Sequence, residues 1–202
     1  NHNIVSSFDS NPKVTNGVID CSNFDFTNKT LELKGDWEFY YNKLFSPEEL
    51  NEIKENERSY LKVPTTLKDL NERYGFATYR LSIKLRPDNS IYSIKFPRIQ
   101  TTYKIWIDNK LIKSFGEVET EKNDYYYINP KEVIYFSASK EITEIVIQCS
   151  NFVDDNLGIA NNSVILGNAN EINKLNFLLF FKDIFMFGVI FVFGIFFLFQ
   201  YI

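Results

Sequence analysis

The chain has 202 residues, of which 45% are hydrophobic and 24% charged, and its formal net charge is −4 at pH 7. An acidic balance argues against a nucleic-acid partner, which normally requires a basic face. His2 is the only histidine, and the sequence contains no Gly-rich phosphate loop and no zinc-protease motif. We therefore expect neither an enzyme nor a bound cofactor or metal ion.

The first part of the chain, residues 1–29, is rich in Asn, Ser, Asp and Thr. It predicts an extended lead-in with one short strand near residues 18–20. Residues 31–41, LELKGDWEFYY, then alternate apolar and charged side chains, which is typical of a half-buried strand. In this register Trp37 faces the core.

A short helix is predicted in the segment FSPEELNEIKE. Ser46 is a suitable N-cap, Pro47 occupies the first helical position, and Glu49 completes a capping box. Leu50 and Ile53 alone give this helix an apolar side. The helix is therefore expected to be a short insertion in a β fold.

From residue 76 onward, short apolar strands separated by turn residues follow at regular intervals. Asp108 and Asn109 tolerate positive φ and predict a tight hairpin between two of these strands. About eight such strands with frequent turns are typical of a β-sandwich. We therefore predict an all-β, galactose-binding-like jelly roll over residues 30–168.

The last part of the chain has the sequence pattern of a helix. Residues 169–183 predict a juxtamembrane helical connection without a flexible linker, and we expect it to be stiff. Residues 184–202 carry no charged side chain. As a helix this segment rises about 28 Å, close to the ~30 Å hydrocarbon core of a bilayer, so it predicts a truncated first transmembrane helix. The alternative is a buried core helix.

Cys21 and Cys149 are far apart in the sequence, and their spacing supports no metal site. A disulfide is compatible with an extracellular compartment, and a buried thiol in an apolar strand is equally natural. The sequence leaves both states open.

A candidate ligand platform follows from the strand alternation. If Tyr103, Ile105 and Ile107 face the core, polar and aromatic side chains of neighbouring strands share the opposite face. A flat indole ring with polar groups around it could bind a polyol or a carbohydrate. The alternative is a solvated sheet face whose tryptophan is partly covered by a loop or by the inserted helix. The four residues of this face are Arg80, Lys104, Trp106 and Gln148.

Two weaker signals complete the survey. The run from Tyr125 to Tyr127 must point to both faces of a strand, so one ring could bind a ligand at a loop end. The acidic pairs 48–49 and 154–155 fit a helix N-terminus and a polar loop better than the paired carboxylates of a glycosidase.

The order of several motifs resembles a known family. The motifs are LELKGDWEFYYNKL, KVP, YGFATYRLSIKL, TTYKIWIDNKLIKSFGEV, IVIQCSNFVDDNLGI and VILGN. Together they resemble the second type of extracellular domain in bacterial seven-transmembrane receptors with diverse intracellular signalling modules. The pattern is also similar to the sugar-binding jelly roll of family 2 glycoside hydrolases, including Gly35-x-Trp37 and Tyr79-Arg80. One departure is Asp108-Asn109-Lys110, where relatives often have an Asn-Gly turn.

The resemblance implies a ligand-sensing domain on the extracytoplasmic side of a bacterial inner or cell membrane. It would bind a carbohydrate or related small molecule and relay the signal through further helices to a cytoplasmic output module. The expected partners are this ligand and the lipid bilayer through residues 184–202; a homodimer is left open. The alternative is a membrane-tethered carbohydrate-binding or adhesion module without signalling.

Overall fold

The structure, a computed structural model, describes residues 11–65, 72, 74–97, 99, 102–121, 132–152, 159 and 162–201. These residues form eleven strands, two α-helices and one turn of 3₁₀ helix at Glu55–Glu57. The strands are β1 (Val18–Asp20), β2 (Thr30–Glu32), β3 (Gly35–Tyr41), β4 (Tyr60–Val63), β5 (Gly75–Lys84), β6 (Ile91–Lys95), β7 (Thr102–Ile107), β8 (Lys110–Phe115), β9 (Val133–Ser137), β10 (Ile142–Asn151) and β11 (Ile165–Asn168). The helices are α1 (Pro47–Glu52) and α2 (Ala169–Tyr201).

The strands form two sheets. Within the described residues the large sheet has the order β4-β3-β5-β10-β7-β8, with β1 pairing in parallel with β5. The small sheet has the order β2-β11-β6-β9 and is antiparallel throughout. The two sheets enclose one buried apolar cluster. This arrangement confirms the predicted all-β jelly-roll sandwich with a short inserted helix.

The core is formed by the inward-facing apolar side chains of the strands. Tyr79, Leu81 and Ile83 of β5 are buried in the apolar cluster. Trp37 is fully buried, as predicted, and its indole N–H donates to the carbonyl of Leu33 at 2.9 Å. The small sheet contributes a buried row that crosses all four strands: Leu31, Leu166, Ile94 and Ile134.

The prediction of one strand over residues 31–41 was wrong. The segment forms β2 in the small sheet and β3 in the large sheet, so the chain crosses between sheets near Lys34. Gly35 allows this crossing because its φ is +133° and the carbonyl oxygen of Val14 lies 2.2 Å from where a Cβ atom would be. Apolar and polar side chains alternate without interruption from β2 into β3, so the sequence pattern did not reveal the change of sheet.

The local signals for α1 and for the β7–β8 hairpin are confirmed. Ser46 accepts the backbone N–H of Glu49, and the Glu49 carboxylate accepts the N–H of Ser46 at 2.7 Å. Leu50 is fully buried. In the hairpin, Asp108 and Asn109 have φ values of 49° and 66°, the positive values that a two-residue turn of this hand requires.

Helix α2 is continuous over 33 residues, so the predicted connection and the predicted membrane segment belong to one element. Within the described part of the chain it is the one helix long and apolar enough to cross a membrane. At 1.5 Å per residue it is about 50 Å long, which exceeds the ~30 Å of a hydrocarbon core. The excess leaves its first turns for contacts with the sandwich.

Candidate functional site

The four predicted platform residues do share one face of the large sheet. Gln148 of β10 pairs with Lys104 of β7, and Val146 of β10 lies between Trp106 and Arg80. All of these side chains point away from the main core. Helix α1 and the loop before it lie over this face, as the contacts of Arg80 and Gln148 show.

Arg80 is held by a buried polar network. Its Nε donates to Glu144 Oε2 at 2.7 Å, and Nη1 lies 3.7 Å from Glu38 Oε1. The same guanidinium reaches the end of α1, where Nη1 donates to the Leu50 carbonyl at 3.1 Å and Nη2 donates to Asn51 Oδ1 at 2.8 Å. The arginine therefore fastens α1 to the sheet.

The carboxylate of Glu38 completes this network. It accepts the hydroxyl of Tyr40 at 2.6 Å. Burial, and then the hydrogen bond to this carboxylate, raise the pKa of Tyr40. Tyr40 consequently stays a neutral donor at physiological pH.

Gln148 and Trp106 also contact the insertion. Gln148 Nε2 donates to the carbonyl of Phe45 at 3.0 Å. Trp106 is half-buried against a small apolar cluster formed by Tyr40, Leu50 and Val146. The tryptophan is thus partly covered by the inserted helix, the alternative that the sequence left open.

Lys104 is half-buried on the same face and has no ion pair among the described residues. A ligand on this face could reach Lys104 and one side of Trp106, whereas Arg80 and Gln148 already bond to the insertion. Ligand binding by these four residues stays a prediction.

A second surface is the outer face of the small sheet, which we term the docking face. It is formed by Ser93, Lys95, Tyr135 and Gly167, and the first turns of α2 lie on it. Ile172 of α2 is fully buried there. A Cβ atom on Gly167 would lie 3.1 Å from Ile172 Cγ1, so the glycine permits the close approach.

Polar contacts fix α2 on the docking face. Lys95 Nζ donates to Asn176 Oδ1, and the Tyr135 hydroxyl donates to Asn173 Oδ1, both at 2.6 Å. Ser93 is fully buried, and its hydroxyl has no hydrogen-bond partner among the described residues. One polar group is therefore left unsatisfied where the helix docks.

A third feature is a cavity of about 310 Å³ at one end of the sandwich, which we term the loop-end cavity. The loop after β1, the turn between β5 and β6, and the end of β11 line it, and it is half open to solvent. Its lining residues are Cys21, Ser22, Asn23, Phe24, Asp25, Phe26, Thr27, Arg86, Asp88, Ser90, Tyr92 and Asn168.

Local hydrogen bonds shape this lining. Arg86 Nε donates to the Ser22 carbonyl at 2.6 Å and so ties the loop to the turn. Asp25 accepts the backbone N–H of Thr27 at 2.9 Å. This hydrogen bond is the main cause that lowers the pKa of Asp25.

Asp88 is held in the same way, because it accepts the backbone N–H of Ser90 at 2.9 Å. That bond is the main cause that lowers the pKa of Asp88. Both cavity carboxylates are therefore ionised at neutral pH.

The cavity is also lined by a tyrosine whose ring is buried. Tyr92 is 8% exposed and packs edge-on against Phe26, with ring centroids 5.2 Å apart. Its hydroxyl makes no hydrogen bond with the described residues. Tyr92 pairs across the strands with Asn168, which accepts the N–H of Asn170 at 3.0 Å and caps α2.

Neither the cavity nor the docking face was identified from the sequence. A signal existed in CSNFDFTN, where two phenylalanines alternate with small polar residues inside a polar lead-in. A second signal was RPDNS, a turn that carries both charge signs. These segments are distant in sequence, and only the pairing of β1 with β5 brings them together.

Both cysteines are buried free thiols in the structure. Burial is the main cause that raises the pKa of Cys21 to about 12 and the pKa of Cys149 further. Among the described residues no group of His, Cys, Asp and Glu side chains could hold a metal ion. His2, Tyr125 to Tyr127 and the pair 154–155 lie outside the described residues.

Comparison with known proteins gives only distant structural likenesses. No model of a known protein family matches the chain, and no curated protein sequence matches it. Faecalibacterium prausnitzii β-glucuronidase aligns with a TM-score of 0.49 and 14% identity, over 68% of this chain and 31% of that enzyme.

Two further glycosidases give similar values. A GH2 β-galacturonidase from Eisenbergiella tayi bound to galacturonate gives a TM-score of 0.47 and 16% identity, over 69% of this chain and 24% of that one. A β-glucuronidase from Ruminococcus gnavus gives 0.46 and 12%, over 69% and 29%. The chain thus spans less than a third of each enzyme, and likenesses of this strength establish neither family nor ligand.

Proposed function

We propose that the chain is the extracytoplasmic ligand-sensing domain of a bacterial multi-span membrane receptor. In this proposal the sandwich binds a carbohydrate or related small molecule and α2 carries the signal toward a cytoplasmic output module. The observation that supports it most is the junction between the two parts. The sandwich passes without a linker into a 33-residue helix that carries no charged side chain beyond Asp183.

The junction suits a relay because α2 is docked rather than tethered. Ile172 is buried on the docking face, and Asn173 and Asn176 accept hydrogen bonds from the sheet. A movement of β6 or β11 would therefore move the start of α2. A ligand can shift the equilibrium between two docking states of α2 only to the extent that it binds one state more tightly than the other.

The described contacts on the docking face include favourable and unfavourable ones. Among the described residues, the hydrogen bonds of Lys95 and Tyr135 and the burial of Ile172 oppose the unsatisfied hydroxyl of Ser93. A buried hydroxyl without a partner costs about 1–3 kcal/mol. This cost reduces the free-energy difference between the docked and undocked states, which favours a two-state relay.

The rival function is a membrane-tethered binding module that does not signal. It predicts that ligand binding leaves the docking of α2 unchanged. The unbroken connection and the buried Ile172 favour the receptor, since a passive tether needs neither.

The test uses the 202-residue chain in lipid nanodiscs. A thermal-shift screen against mono- and oligosaccharides, polyols and small organic acids identifies ligands, and a ligand at 100 times its Kd adds about 2.7 kcal/mol of stability. Hydrogen exchange of residues 169–176 is then measured with and without each hit. A change in protection supports the receptor. Saturated binding without any change supports the tethered module, and a screen without hits overturns small-molecule sensing.

A further inference from the structure

The loop-end cavity has the dimensions of a small-molecule site. Its volume of about 310 Å³ lies at the lower end of the ~300–1,000 Å³ range of ligand pockets. That volume suits a molecule of one ring rather than an oligomer.

Tyr92 supplies a hydroxyl that is free to bond to a ligand in the cavity. Its ring is more than nine-tenths buried, its hydroxyl has no partner among the described residues, and the phenol lines the cavity. A hydroxyl at this position can both donate to and accept from a bound molecule.

The charged lining defines the class of ligand. Asp25 and Asp88 offer carboxylate acceptors, and Arg86 offers N–H donors beyond those it gives to Ser22 and Asn23. Two carboxylates and one guanidinium leave the lining net negative, which disfavours an anion. Donors and acceptors in alternation suit hydroxyl groups, each of which donates and accepts.

We propose that the loop-end cavity, rather than the sheet face beneath α1, is the ligand site, and that it takes a neutral monosaccharide. This inference rests on the proposed function, which leaves the location of the ligand open. Tyr92, Asp25 and Asp88 contact the sugar hydroxyls. The half-buried ring of Phe24 offers an apolar surface beside them.

The location explains how binding reaches α2. Asn168 lines the cavity, pairs with Tyr92 across the sheet, and caps the first turn of the helix. A sugar that bonds to Tyr92 therefore lies next to the residue from which α2 starts.

Isothermal titration of the chain in nanodiscs tests the site. The probes are D-glucose, D-galactose and D-mannose, with D-glucuronate and D-glucosamine as charged comparators. Tyr92→Phe removes a hydroxyl that has no described protein partner, so the fold is retained while affinity falls about tenfold. Asp88→Asn keeps the oxygen that accepts the Ser90 N–H and removes the charge. It is the second variant in which the affinity for the sugar should fall while the fold is retained.

The matched controls are Trp106→Phe and Lys104→Met on the sheet face, which should bind as the unsubstituted chain does. Sugar binding that is lost in these two and kept in Tyr92→Phe and Asp88→Asn overturns the cavity and leaves the sensing function intact. Binding of glucuronate or glucosamine alone overturns the neutral class. If the three hexoses do not bind but other molecules of the wider screen do, this inference fails and the proposed function stands.

Discussion

Lys95 of β6 and Asn176 of α2 are joined by a hydrogen bond of 2.6 Å, although 81 residues separate them in the chain. The bond links the small sheet to the second turn of the helix. It is half-buried, and bonds to charged groups contribute about 1.5–3 kcal/mol before solvent screening reduces them.

Replacing this lysine should loosen the helix without unfolding the sandwich. In Lys95→Met we expect faster hydrogen exchange at residues 172–176 and a nearly unchanged melting temperature. Lys174→Met is the control, since Lys174 is exposed and its ion pair with Glu171 is 4.0 Å long. Equal protection in both variants would contradict the role of Lys95.

Gly167 gives a steric test of the same contact. In Gly167→Ala the new Cβ lies 3.0–3.2 Å from Thr30 and Ile172, so the helix must shift outward. We expect increased exchange at the start of α2 and a loss of about 1–3 kcal/mol. Gly188→Ala, where a Cβ meets nothing within 4 Å, is the matched control. A Gly167→Ala chain as protected as the control would refute close docking.

Replacing Ser93 should tighten the docking of α2, whereas replacing Lys95 or Gly167 should loosen it. Its buried hydroxyl has no partner among the described residues, so Ser93→Ala removes a cost of about 1–3 kcal/mol. We expect slower exchange at residues 169–176 and a higher melting temperature. A destabilised Ser93→Ala chain would show that the hydroxyl is engaged.

Arg80 tests the network beneath α1. Its side chain is 12% exposed and bridges two carboxylates and the end of the helix. Arg80→Met should cost about 3–5 kcal/mol, because Glu38 and Glu144 are left without their cation. Urea unfolding measures the loss. Arg80→Met with Glu144→Gln should lose less than the sum of the single variants, and strict additivity would argue against the network.

The two thiols provide a pH test. Burial raises the pKa of Cys21 to about 12, above the ~8.5 of an exposed thiol. The folded state therefore keeps a proton that the unfolded chain loses. Hence the free energy of unfolding falls as pH rises from about 8.5 to 12. Ellman's reagent should detect no thiol in the folded chain at pH 8 and two after denaturation. No thiol after denaturation would indicate a disulfide.

The sequence was sufficient for features that depend on local chemistry. Ser46, Pro47 and Glu49 specify the start of α1, and Asp108-Asn109 specifies a turn, because each signal involves neighbouring residues. The face shared by Arg80, Lys104, Trp106 and Gln148 followed from strand alternation in the same way.

Features that depend on chain crossing were not predictable. Residues 31–41 alternate without interruption, yet Gly35 marks a change of sheet. The covering of Arg80 by α1 was not predictable either, because the contact joins residues that are 30 positions apart in the sequence. Long-range packing of this kind leaves no periodic signal. The loop-end cavity was missed because three separate segments line it.

The unbroken course of α2 has a mechanical consequence. Ile172 lies about 43 Å from Tyr201 along the axis, so a tilt of about 5° at the sandwich would displace the far end by about 4 Å. A rotation of the helix about its own axis would instead turn the far end through the same angle. Rotation and tilt therefore have different effects. Rotation changes which side chains face a neighbouring helix, and tilt changes the distance between the two helices.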